Sequence, residues 1–271
     1  MLNDITLGQF FLGQSLIHRL DPRIKLIGTF LYIIAVFIPQ NWAGLGLAIL
    51  FLAFAVILSR LPLRLILKSL KPIIPIVIIT SLLNIFYVSD GTLIVDWWIF
   101  KITDRGVYTA VFIAIRIMCL IAGSSLMTYT TTPTALTDGM ERLFAPLKVL
   151  HINVHELAMM MTIALRFIPT LIEETDKIMS AQKARGADME SGGLMQRIRA
   201  LIPVLIPLFV SSFRRAYELA TAMECRCYHG GEGRTRMKQL HMAPRDGVAL
   251  AVMAGLVGLL VASNYLIIPV L

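Results

Sequence analysis

Apolar runs long enough to cross a lipid bilayer constrain this chain more than any other feature. A helix spanning the hydrocarbon core needs roughly 20 consecutive apolar residues, and reading the sequence for such runs predicts five spans. Ile24–Leu58 is apolar except for Lys25 near its start and Pro39, Gln40 and Asn41 in its middle. It is too long for one span and reads as a tight hairpin of two short ones. Span three is expected over Pro72–Val88, span four over Val107–Met127 and span five over Val248–Ile268. The last carries Ala251 and Gly255, and Ala254 and Gly258, small residues at the spacing that lets helices approach closely. Only 15% of the 271 residues are charged and mean hydropathy is +0.75, against roughly a quarter charged in average soluble domains. Met1–Asp21 lacks the basic-then-apolar order of a cleaved signal peptide, so the first span is expected to be retained.

The net charge of +8 admits an anionic partner, but in so apolar a chain the placement of Lys and Arg carries more information than their sum. Residues 1–25 hold three, the Ser59–Lys71 loop holds four (Arg60, Arg64, Lys68, Lys71), and Tyr129–Gly247 holds fifteen. The Ser89–Arg105 loop holds only Lys101 and Arg105, beside Asp90, Asp96, Asp104 and the pair Trp97 and Trp98. Basic loops stay in the cytoplasm. The expected topology therefore has a cytoplasmic N-terminus and an external C-terminus, and this charge belongs to a membrane face rather than to nucleic acid.

Tyr129–Gly247 contains two further apolar stretches, Ala158–Ile172 and Leu201–Val210. Arg166 and Pro169 interrupt the first and Pro203 and Pro207 the second. A charge at mid-bilayer costs roughly 2.5 kcal/mol or more, so both are expected in long amphipathic helices at or below the membrane surface. Leu157, Met161, Ala164, Ile168, Leu171, Thr175, Ile178 and Gln182 step alternately by four and three, and the next step is Arg185. Ile198, Ile202, Leu205, Phe209, Ser212, Ala216, Leu219 and Met223 repeat the pattern, and the next step is Arg226. Such seams pack helices together. Two crossed helices ending in arginine are thus expected, and with them three regions: a four-span membrane region over 1–128, a coupling-helix region over 129–247 and a final span over 248–271.

Catalytic signatures are missing from the sequence. Gly230–Thr235 has neither the spacing nor the lysine of a phosphate loop. His155-Glu156 is not followed by the second histidine of a zinc-protease motif, and no Gly-x-Ser-x-Gly elbow occurs. His151 and His155, four apart, lack a predictable third ligand, and Cys119, Cys225 and Cys227 form neither a disulfide framework nor a zinc set. No metal, cofactor or catalytic residue is expected, so an enzyme is not the reading. Within the spans, Arg116 is a candidate for interhelical pairing or a substrate route. Thr80, Ser81 and Asn84 give span three a polar stripe suited to interhelical hydrogen bonding.

Two short segments add a family resemblance. Ala181-Gln182 leading into Ala184-Arg185-Gly186, and Ala222-Met223-Glu224-Cys225-Arg226-Cys227-Tyr228 before Gly230-Gly231, resemble the paired Ala-Arg-Gly signatures of the T components (EcfT) of energy-coupling factor (ECF) transporters. Ser15–Arg23, Thr132-Pro133 through Leu143 with Pro146-Leu147, and Ala164–Pro169 extend the likeness over most of the chain. The second motif departs from the pattern, since cysteines flank its arginine. The resemblance implies an all-α membrane scaffold in the bacterial cell membrane that joins two cytoplasmic ABC-type ATPases to a separate substrate-binding membrane subunit (the S component). It would transmit ATP-driven motion for uptake of a vitamin or similar micronutrient. Ala184, Arg185 and Gly186, with Cys225, Arg226 and Cys227, would then contact the ATPases. The competing expectation is a stand-alone secondary transporter using Arg116 and the polar face of span three.

Overall fold

The computed structural model describes residues 10–87, 93–97, 100–150, 153–187, 193–230 and 240–266. They form nine α-helices, α1 (Pro22–Phe37), α2 (Trp42–Ser59), α3 (Leu63–Leu70), α4 (Ile74–Tyr87), α5 (Asp104–Thr130), α6 (Pro133–Phe144), α7 (Val154–Ala184), α8 (Leu194–Glu224) and α9 (Pro244–Leu266). The strands β1 (Leu93–Trp97) and β2 (Phe100–Thr103) pair antiparallel between α4 and α5. They lie in a stretch expected to be loop. Asp90 and Trp98 of that stretch, and His151, fall outside the described residues.

Among the described residues, six helices are long and apolar enough to cross a membrane: α2, α3 running into α4, α5, α7, α8 and α9. Five spans were expected, with long amphipathic helices where α7 and α8 stand. At 16 residues, α1 is shorter than these six, and the runs discounted for their internal prolines and Arg166 belong to unbroken helices of 31 residues each. The chain is an all-α, multi-pass membrane protein. Contacts divide it into two compact units, one combining Gly8–Met140 with Leu240–Leu271, the other containing Glu141–Gln239.

In the first unit, α1, α2, α5 and α9 enclose a core of Tyr32, Ala35, Val36, Ala48, Cys119, Met253, Leu256 and Leu260. Local chemistry sets where the helices begin. Asp21 caps α1 by accepting from the Arg23 N–H at 2.9 Å, ahead of Pro22 in the first turn. Asn41 caps α2 through the Gly44 N–H at 2.7 Å, and Thr103 caps α5 through the Gly106 N–H at 3.1 Å. Outward-facing Phe30, Ile34, Leu50, Phe54, Ile57 and Val252 stay exposed, which suits a surface solvated by lipid rather than water. Gly123 permits the closest helix approach, since a Cβ there would overlap the Tyr32 ring. The glycines singled out on α9 do not act this way: no described residue comes within 4 Å of a Cβ at Gly255 or Gly258.

At the Pro39 turn between α1 and α2, side chains from α5 and α9 meet backbone groups that the helices leave open. Asn264 Nδ2 donates to the Ile38 carbonyl at 2.7 Å, the Gln40 N–H donates to Asn264 Oδ1 at 3.1 Å, and Arg116 donates to the Pro39 carbonyl. Asn41 Nδ2 also donates to the Ser263 carbonyl at 2.8 Å. Non-helical backbone among apolar helices has to be satisfied in this way, because hydrocarbon offers no partner. At the opposite end, buried Asp246 accepts from the Asp21 N–H at 2.9 Å and the Ala243 N–H at 2.8 Å, while Lys25 Nζ donates to the Thr130 and His18 carbonyls at 2.8 and 3.1 Å. The beginnings of α1 and α9 and the end of α5 are thereby tied.

Candidate functional site: the capped ends of two paired helices

The second unit is built on α7 and α8, and its polar contacts fix how they run. Gln182 Nε2 donates to the Pro203 carbonyl at 3.2 Å. Two turns earlier on α7, Glu174 accepts from Ser211 Oγ and, at 2.7 Å, from Arg215. Moving back eight residues on α7 therefore moves forward eight on α8, and the helices lie antiparallel over this stretch. The end of α7 is opposite the beginning of α8, and the end of α8 opposite the beginning of α7. Arg185 and Arg226 consequently sit at opposite ends of the pair, up to roughly 40 Å apart at 1.5 Å per residue.

Along α8 the expected four-three series is half-buried only at Ser212, Leu219 and Met223, in its second half. Val204, Leu208, Ser211 and Arg215 are wholly or partly covered, whereas Ile202, Leu205 and Phe209 remain 48%, 46% and 61% exposed. On α7 the series is exposed at Leu157 and Met161 and half-buried from Ile168 to Gln182. Glu174, Ser211 and Arg215 form a polar contact across the pair, with a charge-assisted hydrogen bond in it. Ile202, Leu205, Ile206, Phe209, Val210 and Phe213 are left as an apolar stripe without a partner among the described residues.

Both arginines stand in the same capping motif. At the end of α7 the Gly186 N–H donates to the Lys183 carbonyl at 3.0 Å and the Ala187 N–H to the Gln182 carbonyl at 3.0 Å. At the end of α8 the Cys227 N–H donates to the Glu224 carbonyl at 2.8 Å and the Tyr228 N–H to the Met223 carbonyl at 3.0 Å. These are paired Schellman closures, which need a left-handed residue just past the helix. Gly186 supplies it with φ 87°, Cys227 with φ 54°. Ala184, Arg185 and Gly186 are exposed, as are Cys225, Arg226 and Cys227. Each arginine thus occupies the last position before the chain reverses and projects from a helix end whose partial negative charge favours a cation.

The remaining candidates are engaged within their own surroundings. Arg116 has its guanidinium 4.8 Å from the Phe112 ring centre and 6.0 Å from that of Phe37, besides its bond to Pro39. Thr80 donates to the Ile76 and Val77 carbonyls and Asn84 to the Thr80 carbonyl, all within α4 rather than across helices. Thr80, Ser81 and Asn84 are half-buried. His155 shares a 2.8 Å contact with Glu141. Sequence reasoning missed the Glu174, Ser211 and Arg215 cluster and the left-handed caps. The signal for one cap was present, an arginine followed directly by glycine at the end of a helical series.

Comparison with known proteins gives one consistent outcome. The family model of cobalt transport proteins, CbiQ, matches residues 13–237. The energy-coupling factor transporter transmembrane protein EcfT of Ruminiclostridium cellulolyticum is 54% identical over 246 residues, covering 91% of this chain and 92% of that protein. The proteins of the same name from Clostridium kluyveri and Bacillus subtilis are 51% and 49% identical, over 92% and 94% of this chain and 93% and 98% of their own.

Proposed function

From the premise that this chain belongs to the CbiQ family of cobalt transport proteins, as a transmembrane component of an energy-coupling factor transporter and not itself an enzyme, we propose that it couples two ABC-type ATPases to a substrate-binding S component. The observation carrying this reading is the duplication of one exposed arginine cap at the two ends of a single antiparallel helix pair. Two like ends, widely separated, suit two ATPase subunits better than one. An arginine offers a five-donor fork matched to carboxylates, and small neighbours such as Ala184 and Gly186 let the helix end seat closely in a groove.

On this reading ATP binding and hydrolysis move the grooves, the grooves carry Arg185 and Arg226, and the helix pair tilts. The apolar stripe from Ile202 to Phe213 is then the face on which a very apolar S component rides, delivering a vitamin or similar micronutrient inward. The Lys- and Arg-rich segments, including both arginine ends, lie in the cytoplasm, the C-terminus outside. The experiment is affinity purification of the chain from its native membrane, with mass spectrometry of what remains bound. Two ABC ATPases and a small apolar membrane protein are expected. A chain recovered alone that transports unaided in liposomes would overturn the proposal.

A further inference from the structure

The first unit contains a cavity of about 510 Å³ between α1, α2, α5 and α9, within the roughly 300–1,000 Å³ of small-molecule sites. None of the residues closing the core or the arginine ends accounts for it. Apart from Thr29 and Thr130 its wall is apolar, with Tyr32, Phe51 and Met253 among its lining, and it carries two cations, Lys25 and Arg245, where α1 and α9 begin. Among the described residues no carboxylate lines it. The nearby acids are turned elsewhere: Asp246 accepts from the Asp21 and Ala243 N–H groups, and Asp21 from the Arg23 N–H. Lys25 holds the His18 and Thr130 carbonyls. Arg245 is exposed and makes no ion pair among the described residues.

The depth of the cavity identifies its occupant. From Arg245 to Met253 on α9 is eight residues, from Lys25 to Tyr32 on α1 seven, and from Leu58 to Phe51 on α2 seven. Each distance is roughly 10–12 Å of helix. One leaflet of hydrocarbon is about 15 Å, half of the roughly 30 Å core. Three helices therefore give the same measure, an apolar slot nearly one leaflet deep with positive charge at the headgroup level and none below it.

We infer that this slot binds an anionic phospholipid of the leaflet on the Lys- and Arg-rich side, one acyl chain lying between α1, α2 and α9 and the phosphate meeting Arg245 and Lys25. Basic pockets between membrane helices select anionic headgroups, and the chain supplies the depth that a free phosphate would not use. The lipid would fill a space the four helices leave open, and so brace α9 against α1. The inference needs only the membrane placement of these helices. It is independent of ATPase docking, and the two readings fail separately.

The test uses the full purified chain in detergent, titrated with phosphatidylglycerol and with phosphatidylcholine of the same acyl chains, and read by native mass spectrometry. Phosphatidylglycerol should be retained in preference. Arg245→Gln should lower its occupancy about five-fold, the scale of one surface cation, and Ala55→Phe, which projects into the slot, should abolish retention. So that a misfolded variant cannot decide the matter, the wild-type chain is also labelled with phosphatidylglycerol bearing a photoreactive group midway along one chain. Labels concentrated on α1, α2 and α9 near Tyr32, Phe51 and Met253 are expected. Equal retention of both lipids, or labels spread evenly over the outer helix faces, would overturn the inference.

Discussion

At the ends of α7 and α8 a single residue decides how each arginine is presented. Gly186 adopts φ 87° at no steric expense, while Cys227 adopts φ 54° with a Cβ, a conformation costing an L-residue about 1–2 kcal/mol. Cys227→Gly should relieve that cost and slow amide exchange in the last turn of α8 several-fold, while Gly186→Ala should quicken it at the end of α7. Exchange rates unchanged in both would contradict the capping assignment. Arg116 gives a second expectation. Arg116→Leu strips the Pro39 carbonyl of its donor, a loss of about 1–3 kcal/mol for a buried acceptor, and should lower the thermal midpoint of the solubilised chain. An unshifted midpoint would argue that Arg116 serves something other than the turn. The sequence revealed Arg185 and Arg226 because both fall on a helical series. It concealed the role of Arg116, since its partner lies 77 residues away, and of Cys227, since nothing in a cysteine announces a left-handed turn.

Among the elements, lengths were easier to read than faces. Apolar runs placed α1, α2, α4, α5 and α9 within a few residues, because burial in hydrocarbon leaves little choice. The first half of the α8 series, at Ile202, Leu205 and Phe209, stays exposed, and the polar cluster facing α7 is only visible once Glu174 and Arg215, 41 residues apart, are brought together. The glycines tell the same story. Gly255 and Gly258 have the spacing of a packing motif yet face open space, whereas Gly123, outside any motif, lies against Tyr32. Gly123→Ala should therefore destabilise the chain by about 1–3 kcal/mol through overpacking. Gly255→Ala should leave it unchanged or raise its stability by up to about 1 kcal/mol through helix propensity. Thermal unfolding of the two variants side by side distinguishes these outcomes, and the reverse order would contradict the packing described here.

For the molecule as a whole, composition announced a membrane protein and the comparisons place it in a transporter family. What it does there, on the reading proposed, depends on two arginines held apart by one helix pair. Partners and cargo were not legible from composition or periodicity, because those surfaces are completed by other chains. The most direct measurement is substrate uptake and ATPase co-purification for the reconstituted complex carrying Arg185→Ala, Arg226→Ala or both. Losing a buried charge pair at one end costs roughly 2–5 kcal/mol of association, so each single variant should weaken retention of an ATPase, and the double variant should release both and abolish uptake. Wild-type uptake by the double variant, with both ATPases still bound, would contradict the account.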